Sequence, residues 1–243
     1  MSFEFLAPDS AVAFEGAMPP LRSPVEWVHR DGSASYAERA GWRLVADYGD
    51  PAGEAAACQS SVGVADLSHL GKLEIQGEAE AVSGIVASLA EGSVSLGQAT
   101  LSHGVWWCPI TPRRTLAVTP PEATARVRGE LEAATADAAF ISVCEQTTSF
   151  GSNAVVGPLA RETFARSTAL DMRPDVFVEG AFAPASVARI PGMVLRVGTD
   201  SFLHLFGSGY ANYVWSVFVD AAEHLGGRAV GVDALSGEAR LDA

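Results

Sequence analysis

The sequence predicts an α+β protein with two pseudo-repeated units, each with a mainly antiparallel sheet and packed helices. Three observations carry this. The order strand, glycine, helix, then further strands and a helix, occurs twice, once around Gly77 and once around Gly157. Leu73 and Ile75 alternate with Lys72, Glu74 and Gln76, the period of a half-buried strand. Val82, Ile85, Val86 and Leu89 instead follow helical spacing.

Along the chain, residues 1–34 read as an irregular arm, broken by Pro8, Pro19, Pro20 and Pro24. The remainder, 35–243, is one domain whose two units divide near residue 137. ASYAERAG (34–41) is expected as a short helix. Asp50-Pro51 marks a turn that starts a helix over 51–61. GVADLSHLGKLEIQG (63–77) reads as extended chain ending at Gly77, and 78–92 as a helix. VWWCPITPRRTLAVT (105–119) gives two strands around Pro112-Arg113-Arg114, followed by a helix over 121–137. Residues 138–157 give strand-like runs ending at Gly157, and 158–170 a helix. Strands follow over 186–207, and a last helix covers 209–226, with Val214, Val217, Phe218, Ala221 and Leu225 on one face.

Composition excludes several classes of function. The 243 residues are 48% hydrophobic and 19% charged, ordinary for a globular chain with a sizeable core. A net charge of −13 argues against nucleic acid, whose phosphates need a basic surface. Cys58, Cys108 and Cys144 are odd in number and widely spaced, which favours reduced thiols in a cytoplasmic protein. The N-terminus lacks the basic and apolar regions of a signal peptide. No apolar run approaches the roughly 20 residues of a membrane span.

Motifs narrow the chemistry further. The five histidines, His29, His69, His103, His204 and His224, have no metal-ligand spacing, so no metal is expected. No glycine-rich phosphate loop and no G-x-S-x-G elbow is present. His69, within Asp66-Leu67-Ser68-His69, reads first as a turn or strand-start residue, because Asp and Ser stabilise turns with their own side chains. Adjacent Asp, Ser and His do not form a triad, whose members converge from distant segments. Trp106, Trp107 and Trp215 read as core or interface residues. Cys108 reads as a small buried hydrophobe, with a nucleophile as the alternative.

Residues 40–77 also carry a longer ordered pattern: Gly41-Trp42, Tyr48, Glu54, Gly63, Asp66-Leu67-Ser68-His69-Leu70 and Gly71. This stretch resembles the N-terminal folate-binding region of the glycine cleavage T-protein, an aminomethyltransferase family. Residues 227–243 are similar to that family's Gly-Leu-x-Ala…Arg-Leu-Glu-Ala segment, with one extra residue before Arg240. Residues 155–177 and 201–222 are similar to the gamma subunit of heterotetrameric sarcosine oxidase. The resemblance spans roughly 35–243 and implies a T-protein-like folate-binding fold without the C-terminal barrel domain.

The resemblance implies tetrahydrofolate as cofactor, in a cavity between the two units. Leu44, Leu70 and Trp106 would wall it, His69 would sit on a strand at its edge, and Arg240 would meet an anion. Asp66, His69, Asp200 and Glu54 are the candidate acid–base groups. The pattern departs from the family in two places. Gly104-Val105-Trp106-Trp107-Cys108 has no carboxylate where the family carries its aspartate. Thr199, with Asp200 beside it, stands where the family has a pterin-holding glutamate. The first implied function is one-carbon transfer or demethylation of a methylated amine or ether. The alternatives are a non-catalytic subunit beside flavoprotein oxidase chains, or a repurposed fold with other chemistry.

Overall fold

The computed structural model describes residues 19–29 and 33–235. The chain opens with β1 (Leu21–Arg22) and a single helical turn, α1 (Glu26–His29). Strands β2 (Ser35–Arg39) and β3 (Trp42–Asp47) then form a hairpin. Residues 34–41 are therefore not the expected helix. Ala40 and Gly41 both adopt positive φ, 48° and 77°, and this primed turn commits the helix-forming Ala, Glu and Arg on its N-terminal side to pairing with β3. Helix α2 (Pro51–Ser60) starts as predicted, with the Asp50 side chain accepting from the Gly53 amide.

Next come β4 (Gly63–Asp66), β5 (Gly71–Gln76), α3 (Ala79–Leu89), β6 (Thr100–Ser102), β7 (Val105–Thr111), β8 (Arg114–Thr119) and α4 (Thr124–Thr135). The chain continues with β9 (Ser142–Glu145), β10 (Phe150–Val156), α5 (Ala160–Ala165), β11 (Phe182–Val187), β12 (Ile190–Gly198) and β13 (Ser201–Gly207). It ends, within the described residues, with α6 (Ala211–Glu223), β14 (Arg228–Ala229) and a 3-10 turn at Val232–Ala234. Gly157 closes β10 with φ 126°, and a side chain there would strike the Ser61 carbonyl oxygen. The helix after it, α5, stops at Ala165, short of the expected 158–170.

Three sheets result. A small one has the order β1-β3-β2, the largest β11-β12-β13-β10-β4-β14, and the third β6-β7-β8-β5-β9. All pairings are antiparallel except β1 with β3 and β14 with β4. The sheets do not follow the halves of the sequence. β4 joins the strands of the second half, and β9 joins those of the first.

The six-stranded sheet has two different sides. One side packs on the five-stranded sheet through Ala65, Leu67, Ala154, Leu195, Leu203 and Leu205, which meet Trp106, Cys108, Leu116 and Val118. The other side packs beneath α5 and α6 through Val64, Val155, Val194, Phe202 and Phe206, against Phe164, Val214, Trp215 and Phe218. Phe218 and Val214 are buried as their helical phase predicts, whereas Trp215 and Ala222 are buried in place of Val217 and Ala221, which are only half-buried, so the buried face is turned from the expected one. The far side of the five-stranded sheet packs on α3 and α4, with Leu73, Ile75, Val82, Val86, Val127 and Leu131 in one cluster.

Candidate functional site

The DLSH stretch is not a continuous strand. The Leu70 amide donates to the Leu67 carbonyl (3.1 Å), so Leu67–Leu70 is a turn that carries the chain from one sheet to the other. His69 therefore sits in a turn rather than on a strand, and its side chain is half-buried. The Asp66 carboxylate accepts from the Ser68 amide (3.0 Å) and hydroxyl (2.6 Å). Ser68 Oγ in turn accepts from the Ser152 amide (3.1 Å), which ties the turn to β10.

Lys72 completes this turn, and sequence reasoning missed it. It was expected on a solvated face but is fully buried, its Nζ donating to the carbonyls of Ser68 and Leu70 at 2.9 Å each. Burial pulls its ammonium down to about 7, opposed by the attraction of Asp66. Glu74 is buried beside it and takes Arg114 in a two-pronged bond (2.8 and 2.9 Å). So β5 is buried on both faces. The signal available in the sequence was position, since Lys72 follows the turn directly and its long side chain can fold back over it.

Register places Lys72 in a row with two residues of the inter-sheet cluster. Lys72 pairs with Val118, and Val118 with Trp106. The same cluster holds Leu44, Leu70 and Trp106, so the structure brings these three predicted wall residues together. Cys108 lies among them, fully buried, its thiol pushed up by burial, which suits a packing residue rather than a nucleophile.

Other predicted groups fall elsewhere. Asp66 shares the side of β4 that carries Val64, beneath α6, and its charge acts on His29 and Tyr48 there. Glu54 is fully buried and accepts from the amides of Tyr48 (2.7 Å) and Gly231 (2.8 Å), a joint between chain segments rather than an acid–base group. Thr199 and Asp200 form the two-residue loop between Gly198 and Ser201, which are paired. The Thr199 carbonyl accepts from Arg196 (2.9 Å) and Arg161 (3.3 Å), and the Asp200 carbonyl from the Gly157 amide (2.9 Å). Thr199 is exposed and Asp200 half-buried, while Val197 just before them packs in the cluster of Leu44, Leu70 and Trp106. Arg240 lies outside the described residues.

With this fold and turn in place, comparison with known proteins fixes the class. The model of the GCVT N-terminal domain family matches residues 25–243, and the chain belongs to that family. Aminomethyltransferases of Mycobacterium bovis and Mycobacterium tuberculosis are each 29% identical over 191 residues, covering 73% of this chain and 50% of theirs. The chain thus spans about half the length of these curated relatives. Aminomethyltransferase T of the glycine cleavage system from Bartonella henselae shares the fold, with TM-score 0.70 and 17% identity over 88% of this chain and 60% of that one. A chain of the heterotetrameric sarcosine oxidase from Corynebacterium sp. U-96 shares it at TM-score 0.60 and 16% identity, over 77% of this chain and 94% of that one.

Proposed function

We propose that this chain is an aminomethyltransferase-like protein of one-carbon metabolism whose ligand surface is the inter-sheet cluster at Leu44, Leu70 and Trp106. The observation that carries this reading is the row Trp106–Val118–Lys72. It joins an apolar wall to one fully buried ammonium, held by two carbonyls and pulled down to about 7 by burial. Leu44, Leu70 and Trp106 fit the apolar faces of a pterin ring. The hydrogen-bonding anchors fit less well, since Gly104–Cys108 offers no carboxylate and Thr199 is turned to solvent. Bound there, tetrahydrofolate would accept the one-carbon unit of a methylated amine or ether. His69 would face the ligand from the turn, with Asp66 and Lys72 acting as positioning residues that hold the turn from either side.

Calorimetric titration of the full chain with tetrahydrofolate and with 5-formyl-tetrahydrofolate tests this. Saturable binding weakened by His69→Ala is expected. Absence of binding at millimolar ligand would overturn it.

A second reading, a subunit that assembles with flavoprotein oxidase chains, is favoured by a different observation. Leu21, Trp27 and Val28 leave large apolar surface exposed near one another in sequence, Trp27 at 68%. Co-purification with flavin absorbance from the native source would support that role, and a lone chain that turns over a methylated substrate would exclude it.

A further inference from the structure

In a chain with 29 acidic and 16 basic residues, cations are expected to be taken up by carboxylates. Among the described residues this holds widely. Arg22 and Arg43 meet Glu26, Arg39 meets Asp233, Arg113 meets Glu78, Arg114 meets Glu74, Arg173 meets Asp171, and Arg228 meets Asp50. Arg126 and Arg128 pair with Glu130 and Glu145. Arg161, Arg196 and Lys72 are held by backbone carbonyls. Two cations have neither kind of partner among the described residues, Arg166 and Arg189, and both line the same groove.

That groove, of about 610 Å³, lies where the end of α5, the β11–β12 turn and the outer side of α6 meet. Its lining contains no aspartate or glutamate. Ser167, Thr168 and Ser186 add hydroxyls to the two guanidiniums, and Tyr213 and Val217 of α6 add an apolar wall, the Tyr213 ring being half-exposed. The turn that carries Arg189 is fastened to the helix end. The Ala188 amide donates to the Ser167 carbonyl and the Thr168 hydroxyl to the Ser186 carbonyl, both at 2.8 Å. Ala188 and Arg189 hold positive φ, 51° and 64°, without a glycine to ease it, so Arg189 is presented from a conformation that the turn imposes.

We infer that this groove is a binding site for a small dianion with a short apolar body, such as a phosphate monoester. Two guanidiniums with no carboxylate to satisfy them give charge-assisted bonds to phosphate oxygens, and the apolar part lies along Tyr213 and Val217. The groove size is in the range of small-molecule sites. The surrounding net charge of −13 repels anions at long range, so recognition depends on this local reversal of sign. The site lies on the helix-covered side of the six-stranded sheet and is independent of the inter-sheet ligand proposed above.

The test titrates the full chain with phenyl phosphate, inorganic phosphate and phenol. Phenyl phosphate is expected to bind saturably, inorganic phosphate more weakly and phenol not at all, with binding falling as salt rises. Arg166→Gln and Arg189→Gln should each weaken phenyl phosphate about tenfold or more, the usual size for a charged hydrogen bond. Tyr213→Ala should weaken phenyl phosphate and leave inorganic phosphate unchanged. Both arginines are exposed, so unchanged melting temperatures will show that the variants are folded. Equal binding by wild type and the double arginine variant, or no saturable binding of phenyl phosphate at millimolar concentration, would overturn the assignment. Tetrahydrofolate should not displace phenyl phosphate, which separates this result from the fate of the inter-sheet reading.

Discussion

The two sides of the six-stranded sheet are built from the same strands but by different rules. Toward the five-stranded sheet, the side chains of β4, β10, β12 and β13 are mainly aliphatic, Ala65, Ala154, Leu195, Leu203 and Leu205, and the buried Ser152 among them has its hydroxyl bonded to the Leu67 carbonyl. Toward α5 and α6 the alternate residues include Asp66, Asn153 and His204, which stand in a row because Asp66 pairs with Asn153 and Asn153 with His204. Asn153 and His204 are fully buried, and neither their amide nor their ring nitrogens find a hydrogen-bond partner among the described residues. His204 is enclosed by Phe164, Phe206 and Phe218 at ring separations of 5.0–6.1 Å. A neighbouring part of this layer holds His29, bonded to the Tyr48 hydroxyl (2.8 Å) and packed edge-on against Trp215. Asp66, Asn153, His204 and His29 thus gather under the helices, while the predicted ligand wall is apolar with Lys72 at its margin. Buried polarity takes two forms: partnered on the inter-sheet side, where Lys72 and Glu74 are bonded, and unpartnered at Asn153 and His204 on the helix side.

Breaking the helix-side layer outright should have the largest effect. Phe218 is 1% exposed and packs on Phe164 and His204. Phe218→Ala should cost about 3–5 kcal/mol in chemical denaturation, through lost burial and the cavity left behind.

The next effect sharpens the opposite side. Lys72 titrates near 7 in the folded chain and at its ordinary value near 10.5 when unfolded. Between these values the unfolded state binds more protons, so wild-type stability should rise with pH from about 7 upward. Measured against Lys72→Met from pH 7 to 9, the difference should grow with a slope approaching ~1.4 kcal/mol per pH unit. The thiols of Cys58 and Cys108, which burial raises, titrate in both proteins and cancel. A flat difference would show that the ammonium is not desolvated.

A smaller gain is expected at His204, where burial lowers the imidazole to about 3 from 6.5. As pH falls through that window the unfolded state takes up a proton that the folded ring refuses, so stability declines with acid. His204→Leu should remove this component of acid sensitivity and leave stability at pH 7 unchanged or raised by about 1–3 kcal/mol, since an unpartnered buried polar group is replaced. Parallel acid-unfolding curves for the two proteins would count against it.

The smallest effect is expected at Thr199. Thr199→Glu restores the family's residue type but on an exposed two-residue loop held by Arg161 and Arg196. Tetrahydrofolate affinity should stay within about threefold of wild type, under ~0.7 kcal/mol. A clear gain in calorimetry would mean that the loop reaches the ligand after all.

How much of this was legible varies with range. Features set by local chemistry were read well: α2 from Asp50-Pro51, α3 and α6 from apolar spacing, and the β10 end from Gly157. The strand at 35–39 was not, because Ala, Glu and Arg favour helix and only pairing with β3 overrides them. Burial of Lys72 and Glu74 was hidden for a similar reason: an alternating pattern reports a polar face, and only the second sheet covers it. Leu44, Leu70 and Trp106 share one buried cluster between the sheets. That Thr199 stands exposed on a two-residue loop was not legible, since which residues of β12 and β13 pair, and so where the loop falls, is a property of three dimensions.

The exchange of β4 and β9 between sheets bears on how the chain reaches its native state. β4 is completed by β10 and by β14, more than 80 and 160 residues later in the chain. Neither half can close its sheet while the other is still being synthesised, and a nascent chain ending near residue 137 exposes the open edge of β5 until β9 emerges. Such long-range pairing carries a large loop-closure entropy before any contact rewards it, which favours slow folding in which the two sheets consolidate together. Separately expressed halves should therefore associate with each other or aggregate through those edges rather than fold as independent units.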